Sequence, residues 1–144
     1  MEKAKCLSRW MCDPRNDCKT CLVNLVKESG DLGLSFEKYE LLSGETDIAM
    51  GATDPDFLYY GLKLAGEAGE VAEKIGKLMR DNNGFVDDKF REEMAKELGD
   101  VLWYVARLST RFNLDFDKDV AQRNLDKLFS RRDRGVLHGN GDNR

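Results

Sequence analysis

Two long segments of the chain carry apolar side chains at helical spacing, and only the short sequence DNNG (81–84) separates them. In the first segment the apolar positions recur at intervals of four, three, four and three residues: Leu64, Ala68, Val71, Ile75 and Leu78. A stripe with this spacing covers one face of an α-helix. Because the glycine of DNNG favours a left-handed turn that ends a helix, the two segments can pack as an antiparallel pair.

Capping and breaking residues predict the remaining helix boundaries. An acid at the cap and a proline in the first turn open the first long helix, at Asp54-Pro55-Asp56. Strand patterns are almost absent, so the predicted class is all-α. The other predicted helices run from near Asp87 to about Phe112, from about Asp117 to Arg131, and, as shorter elements, over Thr20–Glu28 and Phe36–Leu42. The glycine-rich last ten residues are predicted to be irregular.

Length and charge exclude several classes of protein. The 144 residues predict one helical domain at 34–144, preceded by a cysteine-containing extension at 1–33. With 23 basic and 27 acidic residues the net charge is −4, which argues against a nucleic-acid polymer as partner. No apolar run reaches the roughly 18 residues of a membrane span, and the N-terminus lacks the apolar core of a secretion signal. A cytoplasmic protein without a membrane partner is expected.

Each of the two long helices carries a pair of acids three residues apart, Glu67 with Glu70 and Glu97 with Asp100. Residues three apart on a helix lie about 60° from each other in azimuth, so both acids of a pair flank the apolar stripe on the same side. If the helices pack as an antiparallel pair, the four carboxylates can converge. Because they would repel one another without compensating cations, oxygen-only ligation of Mg²⁺ or Mn²⁺ is indicated.

Two other interpretations of the acids remain open from the residues alone. Charged pairs at this spacing are common on solvated helix faces, where they bind nothing. Paired acids on helices also occur in diiron bundles, but those need Glu-x-x-His on two helices, and the one histidine, His138, lies in the glycine-rich tail. The diiron reading is therefore weak.

The stretch GLKLAGEAGEVAEKIGK, followed by KELGDVLWYVARL, resembles the MazG-type all-α nucleoside triphosphate pyrophosphohydrolases. That family carries E-x-x-E, a variable gap and E-x-x-D. The resemblance covers about residues 54–144, and the C-terminal stretch NLDKLFSRRDRGVLHGNGDNR is similar to that of many phage and bacterial members. One departure is Gly66, where many members have a second glutamate before the first motif; both motif positions on this helix nevertheless remain acidic.

The resemblance implies a four-helix-bundle core completed by oligomerisation into a dimer or tetramer. It also implies cleavage of the α–β phosphoanhydride of a (deoxy)nucleoside triphosphate to the monophosphate and pyrophosphate. Two or three Mg²⁺ ions, held by Glu67, Glu70, Glu97 and Asp100, would activate water and neutralise developing charge. A related activity on another nucleotide-like substrate, as in the phosphoribosyl-ATP hydrolases, and a non-catalytic helical interaction module are the alternatives.

Candidate phosphate contacts lie on the first and third long helices. A triphosphate needs fixed cations, and polar or basic side chains share one face near the end of the third helix. The candidate phosphate contacts are Asn124, Lys127, Arg131, Arg134 and Lys77; Lys74 is a weaker one. Cations near a helix C-terminus also favour the helix dipole without binding anything. The candidate walls for a base are Phe57, Tyr60, Trp103 and Tyr104, although helical aromatic residues more often pack in a core.

The four cysteines lie within sixteen positions of the extension: Cys6, Cys12, Cys18 and Cys21. Four thiols can form a tetrahedral structural Zn²⁺ site, and C-x-x-C is a common half of one. The first two gaps differ from the usual paired spacing, so reduced, inert thiols or disulfides are the alternatives.

Overall fold

The computed structural model describes residues 33–48 and 57–141, and every regular element in these ranges is helical. The elements are α1 (Phe36–Gly44), α2 (Phe57–Asn82), α3 (Asp88–Arg111), a π-helical segment (Phe116–Gln122) and α4 (Arg123–Asp133). The predicted all-α class is confirmed. From Ser35 onward these residues belong to one compact unit, Ser35–Arg144. The predicted helix start at residues 54–56, the predicted helix at 20–28 and the four cysteines lie outside the described residues.

Helices α2 and α3 form a hairpin that places the acidic pairs. After α2 the backbone turns through positive φ angles at Asn83 (49°) and Gly84 (76°), and the Gly84 amide donates to the Leu78 carbonyl at 3.1 Å. The Asp87 side chain then caps α3 by accepting from the Phe90 amide at 2.7 Å. Because only five residues join helices that are each more than about 35 Å long, α3 folds back along α2.

The predicted third helix is divided into two helical types. Its first part is the π-helical segment, in which the Arg123 amide donates to the Lys118 carbonyl five residues back. Phe116 at the start of this segment is buried and packs its ring 5.0 Å from that of Phe36 in α1. α4 continues directly from the segment. The burial of Phe116 thus anchors the start of the π-helical segment against α1.

The buried Arg107 side chain links α3 to α1 by hydrogen bonds. The Arg107 guanidinium donates to the Ser43 hydroxyl at 2.9 Å and to the Glu40 carbonyl, both in α1. Gly44 allows this approach, since a Cβ at that position would lie 2.5 Å from Arg107 Nη1. Thr110, one turn further along α3, donates to the Glu40 carboxylate at 2.7 Å. The end of α1 is therefore held against the face of α3 that also carries Asp100, two turns before Arg107.

Little apolar surface is fully covered within the described part of one chain. Tyr60, Ala106 and Phe116 are the buried apolar side chains there. Long apolar side chains on the hairpin remain exposed, among them Leu62 (76%) and Met79 (63%). Exposed apolar surface of this kind is typical of a face that another chain covers. None of the described helices combines the length and the apolar character that a membrane crossing requires.

Candidate metal and substrate site

Three of the four predicted acids come together between α2 and α3. One carboxylate oxygen from each of Glu67, Glu70 and Glu97 lies within 4.8 Å of the other two. Glu67 and Glu70 face the same way because they are almost one turn apart, and Glu97 reaches them from the opposite helix of the hairpin. Glu70 is the exposed member of the group, whereas the side chains of Glu67 and Glu97 are only 12% and 15% exposed.

Asp100 lies beside this group and lines a cavity together with Glu67. Burial raises the pKa of the Asp100 carboxyl, and the charges of Glu67 and Glu97 raise that pKa further. All three causes disfavour the negative charge of Asp100. Because the charges of Glu67 and Glu97 act on Asp100, the fourth acid belongs electrostatically to the same cluster. A cation among these acids would lower the pKa of Asp100 again.

The oxygens of the three clustered acids fit a small divalent cation. Opposite ligands of an octahedral Mg²⁺ are about 4.2 Å apart. Adjacent ligands are about 3.0 Å apart, so three oxygens within 4.8 Å of one another would hold such an ion after their side chains draw together by about 1 Å. All donors in the group are carboxylate oxygens, the ligand type that Mg²⁺ and Mn²⁺ prefer. A diiron site would need histidine ligands beside the acids, but His138 lies in the irregular segment after α4.

Two lysines contact the acids. Lys63 Nζ lies 3.4 Å from the Glu67 carboxylate, one turn away on α2. Lys74 Nζ crosses to α3, where it lies 3.4 Å from Glu97 and 3.5 Å from Glu93. Lys63 and Glu93 were not among the predicted site residues. The four-residue interval from Lys63 to Glu67 is a signal that sequence reasoning could have used.

A cavity of about 450 Å³ opens next to the acids. Its lining consists of Thr46, Glu67, Asp100, Trp103 and Tyr104. The Trp103 ring is fixed because its indole N–H donates to the Thr46 hydroxyl at 2.9 Å and to the Ser43 carbonyl at 3.2 Å. The Tyr104 ring stands edge-on to it at 4.8 Å between centroids. The size suits a small organic ligand, and two aromatic walls adjoin two acids.

The four aromatic candidates for base contacts separate into two pairs. Trp103 and Tyr104 line the cavity, whereas Tyr60 is fully buried. Its hydroxyl donates to the Asp47 carboxylate at 2.6 Å. Phe57 packs against Phe112 at 5.5 Å between ring centroids. Thr46 also belongs to the cavity wall, although no local sequence pattern marks it: it reaches the wall only through the packing of α1 on α3.

The predicted phosphate contacts are neither in the three-carboxylate group nor in the lining of the cavity. Asn124, Lys127 and Arg131 are on α4, and Arg134 follows it immediately. Arg131 is buried and donates to the Gly141 carbonyl at 3.3 Å. On α2, Lys77 pairs with Glu73 at 2.8 Å, one turn before it on an exposed face.

Comparison with known proteins adds two findings. A family model described as the MazG nucleotide pyrophosphohydrolase domain matches residues 57–136, which span both acidic pairs and all of α4. The chain is also similar to the "Gene 37 protein" of Mycobacterium phage L5, with 44% identity over 110 residues, or 74% of this chain and 96% of the phage protein. No solved structure matches.

Proposed function

The chain belongs to the MazG nucleotide pyrophosphohydrolase family, as the doubled acidic motif predicted, and from this membership we propose that it hydrolyses (deoxy)nucleoside triphosphates to monophosphate and pyrophosphate with Mg²⁺. Mn²⁺ is the expected substitute. The observation that carries the proposal is the convergence of three carboxylates, from Glu67, Glu70 and Glu97, next to a cavity that also contains Asp100. Acids that are merely solvated on a helix surface are exposed and point away from one another. The side chains of Glu67 and Glu97 converge and are less than one-fifth exposed.

The four acids have distinct places in the proposed mechanism. When bound, Mg²⁺ supplies charge neutralisation for the phosphate oxygens and a lowered pKa for a coordinated water. Glu67 and Glu97, whose side chains are 12% and 15% exposed, would hold the metal, and Asp100, which lines the cavity with Glu67, would be a further ligand beside the α-phosphate. Glu70 is the exposed member and the proposed residue that orients the attacking water. The scissile bond is the α–β phosphoanhydride, so pyrophosphate is the leaving group.

The aromatic cavity is the proposed place for the base and sugar. Trp103 and Tyr104 are adjacent to Asp100 along α3, so a nucleotide with its phosphates at the acids would extend toward these rings. The hydrogen bond from the Trp103 indole to the Thr46 hydroxyl helps to fix the orientation of this ring. Stacking on an aromatic side chain is worth about 1–3 kcal/mol per base and tolerates different bases.

The stacking role gives a prediction for Trp103. Trp103→Leu is expected to raise KM for the preferred nucleotide roughly tenfold, with a smaller change in kcat, because the lost stacking acts on binding. The chain has two tryptophans, so Trp10→Phe leaves Trp103 as the only indole. In that background, nucleotide should change the Trp103 fluorescence. Nucleotide binding detected by calorimetry without any change in that fluorescence would place the base elsewhere.

We propose that a second copy of the chain completes the active enzyme. Apolar side chains on the hairpin, including Leu62, Met79 and Leu98, are more than half exposed in one chain, which supports a dimer or tetramer. Asn124, Lys127 and Arg134 on and after α4 are exposed and can face the acids of a neighbouring subunit. Arg131 would have to leave the Gly141 carbonyl to join them.

Pyrophosphate release tests the proposed activity. The protein is incubated with each dNTP and NTP in turn, with Mg²⁺, with Mn²⁺, or with a chelator. Release of pyrophosphate and monophosphate in equal amounts is expected with either metal, and none with chelator. Release of single phosphates would contradict the α–β cleavage. Absence of turnover with every nucleotide would instead favour a helical interaction module or a different nucleotide-like substrate.

A further inference from the structure

Two lysines bracket the acids on one face of α2. Lys63, Glu67, Glu70 and Lys74 stand at positions i, i+4, i+7 and i+11, which places all four within about 60° of azimuth. The lysines lie at the two ends of this row and the acids between them. Both lysines contact a proposed metal ligand, Lys63 at Glu67 and Lys74 at Glu97, each at 3.4 Å. The cluster therefore carries its own counter-charges.

Lys74 differs from Lys63 because it is shared between two acids of the opposite helix. Its ammonium lies 3.4 Å from Glu97 and 3.5 Å from Glu93, which precedes Glu97 by one turn of α3. Glu93 stands outside the three-carboxylate group, and its side chain is more exposed than that of Glu97 (40% against 15%). One cation thus has an acceptor inside the proposed metal site and another just outside it.

We propose that Lys74 is a built-in counter-cation that competes with the divalent metal for Glu97 and passes entirely to Glu93 when the metal binds. This inference rests on the proposed function, because it takes Glu97 as a metal ligand. An ammonium and a divalent ion held against the same carboxylate repel each other, so metal binding weakens the contact of Lys74 with Glu97 and favours its contact with Glu93. Glu93 retains the displaced lysine, and the tie between α2 and α3 persists in both states.

The competition has two consequences. Without metal, Lys74 offsets the repulsion among the acids and stabilises the hairpin. With metal, its displacement lowers the affinity of the site below what the acids alone would give. Lys74 therefore sets the metal concentration at which the site fills, and it is a positioning residue rather than a catalytic one.

Metal binding without nucleotide tests the role directly. Mn²⁺ is titrated into the full-length protein and free Mn²⁺ is followed by electron paramagnetic resonance. Lys74→Met is expected to tighten Mn²⁺ binding roughly tenfold, since it removes the competitor. Lys96→Met, on an exposed position next to Glu97 in sequence, is the matched control for net charge and should change the affinity less than about twofold. Lys74→Arg keeps the counter-charge and should remain within about threefold of wild type.

A second variant separates the transfer to Glu93 from a general charge effect. Glu93→Gln removes the alternative acceptor, so Lys74 stays on Glu97 and Mn²⁺ affinity should fall about threefold. In the Lys74→Met background the same change should have almost no effect. An equal loss in both backgrounds would mean that Glu93 acts by its charge alone, which contradicts the transfer.

Melting in chelator completes the test. Lys74→Met, or Lys74→Gln if the methionine variant does not fold, should melt below the Lys96→Met protein, because the acids lose their compensation. If Lys74→Met binds Mn²⁺ no more tightly than Lys96→Met, the counter-cation role is wrong, while pyrophosphate release by wild type still upholds the proposed function. Failure of that function has a different signature: no pyrophosphate from any nucleotide, whatever the Mn²⁺ affinity.

Discussion

Glu97→Gln is expected to lower kcat for pyrophosphate release by roughly 10²–10³-fold, the usual cost of losing one charged group that stabilises a transition state. Glutamine keeps the shape of the side chain but removes the negative charge that Glu97 contributes to the three-carboxylate group. In chelator the same variant should melt at or above the wild-type temperature. The reason is that Glu97 is one of the charges that raise the pKa of Asp100, so its removal relieves repulsion.

Glu92→Gln is the matched control for this experiment. It makes the same chemical change on the same helix, but Glu92 is exposed and lies outside the acid group. Its activity and melting temperature should stay close to those of wild type, since exposed charges away from a site contribute little. Comparable losses in the Glu92 and Glu97 variants, or full activity in Glu97→Gln, would remove Glu97 from the proposed metal site.

The helical hairpin was predictable because its signals are local. The apolar stripe of α2, the acid at the α3 cap and the glycine after α2 each act within a few residues, and they predicted a second helix from Asp87 to about Phe112. The observed α3, Asp88–Arg111, agrees to within a residue at each end. The same spacing indicated that the carboxylates of Glu67 and Glu97 can converge if the two helices pack as an antiparallel pair, and in the structure these carboxylates lie close together.

The parts that sequence reasoning missed depend on packing between distant segments. The π-helical segment was predicted as ordinary α-helix, because nothing in the spacing of its residues distinguishes the two; the burial of Phe116 against Phe36 is a tertiary contact. Thr46 joins the cavity wall through Trp103, 57 residues away in the chain. Likewise, Lys74 could be interpreted as a solvated lysine until α3 placed Glu93 and Glu97 against it.

The second large effect concerns a buried network that joins three helices near the cavity. Arg111 at the end of α3 pairs with Asp47, just after α1, at 3.0 Å, and it also donates to the Tyr60 hydroxyl of α2 at 2.8 Å. The Asp47 side chain is fully buried. Burial, followed by the hydrogen bond to Asp47, raises the pKa of Tyr60 to about 12, so its hydroxyl stays protonated near neutral pH and donates to Asp47.

Arg111→Met is therefore expected to lower the free energy of unfolding by about 3–5 kcal/mol, because it removes the cation that pairs with the buried Asp47 carboxylate. Arg80→Met, which breaks an exposed pair with Asp81, should leave the free energy of unfolding close to that of wild type. Denaturant unfolding of both variants compares their free energies of unfolding, and equal losses would mean that burial does not strengthen the Arg111–Asp47 pair.

Since Asp47 directly follows Thr46 in the cavity wall, the fraction of Arg111→Met that remains folded should also show a raised KM, with the metal affinity of the acids unchanged.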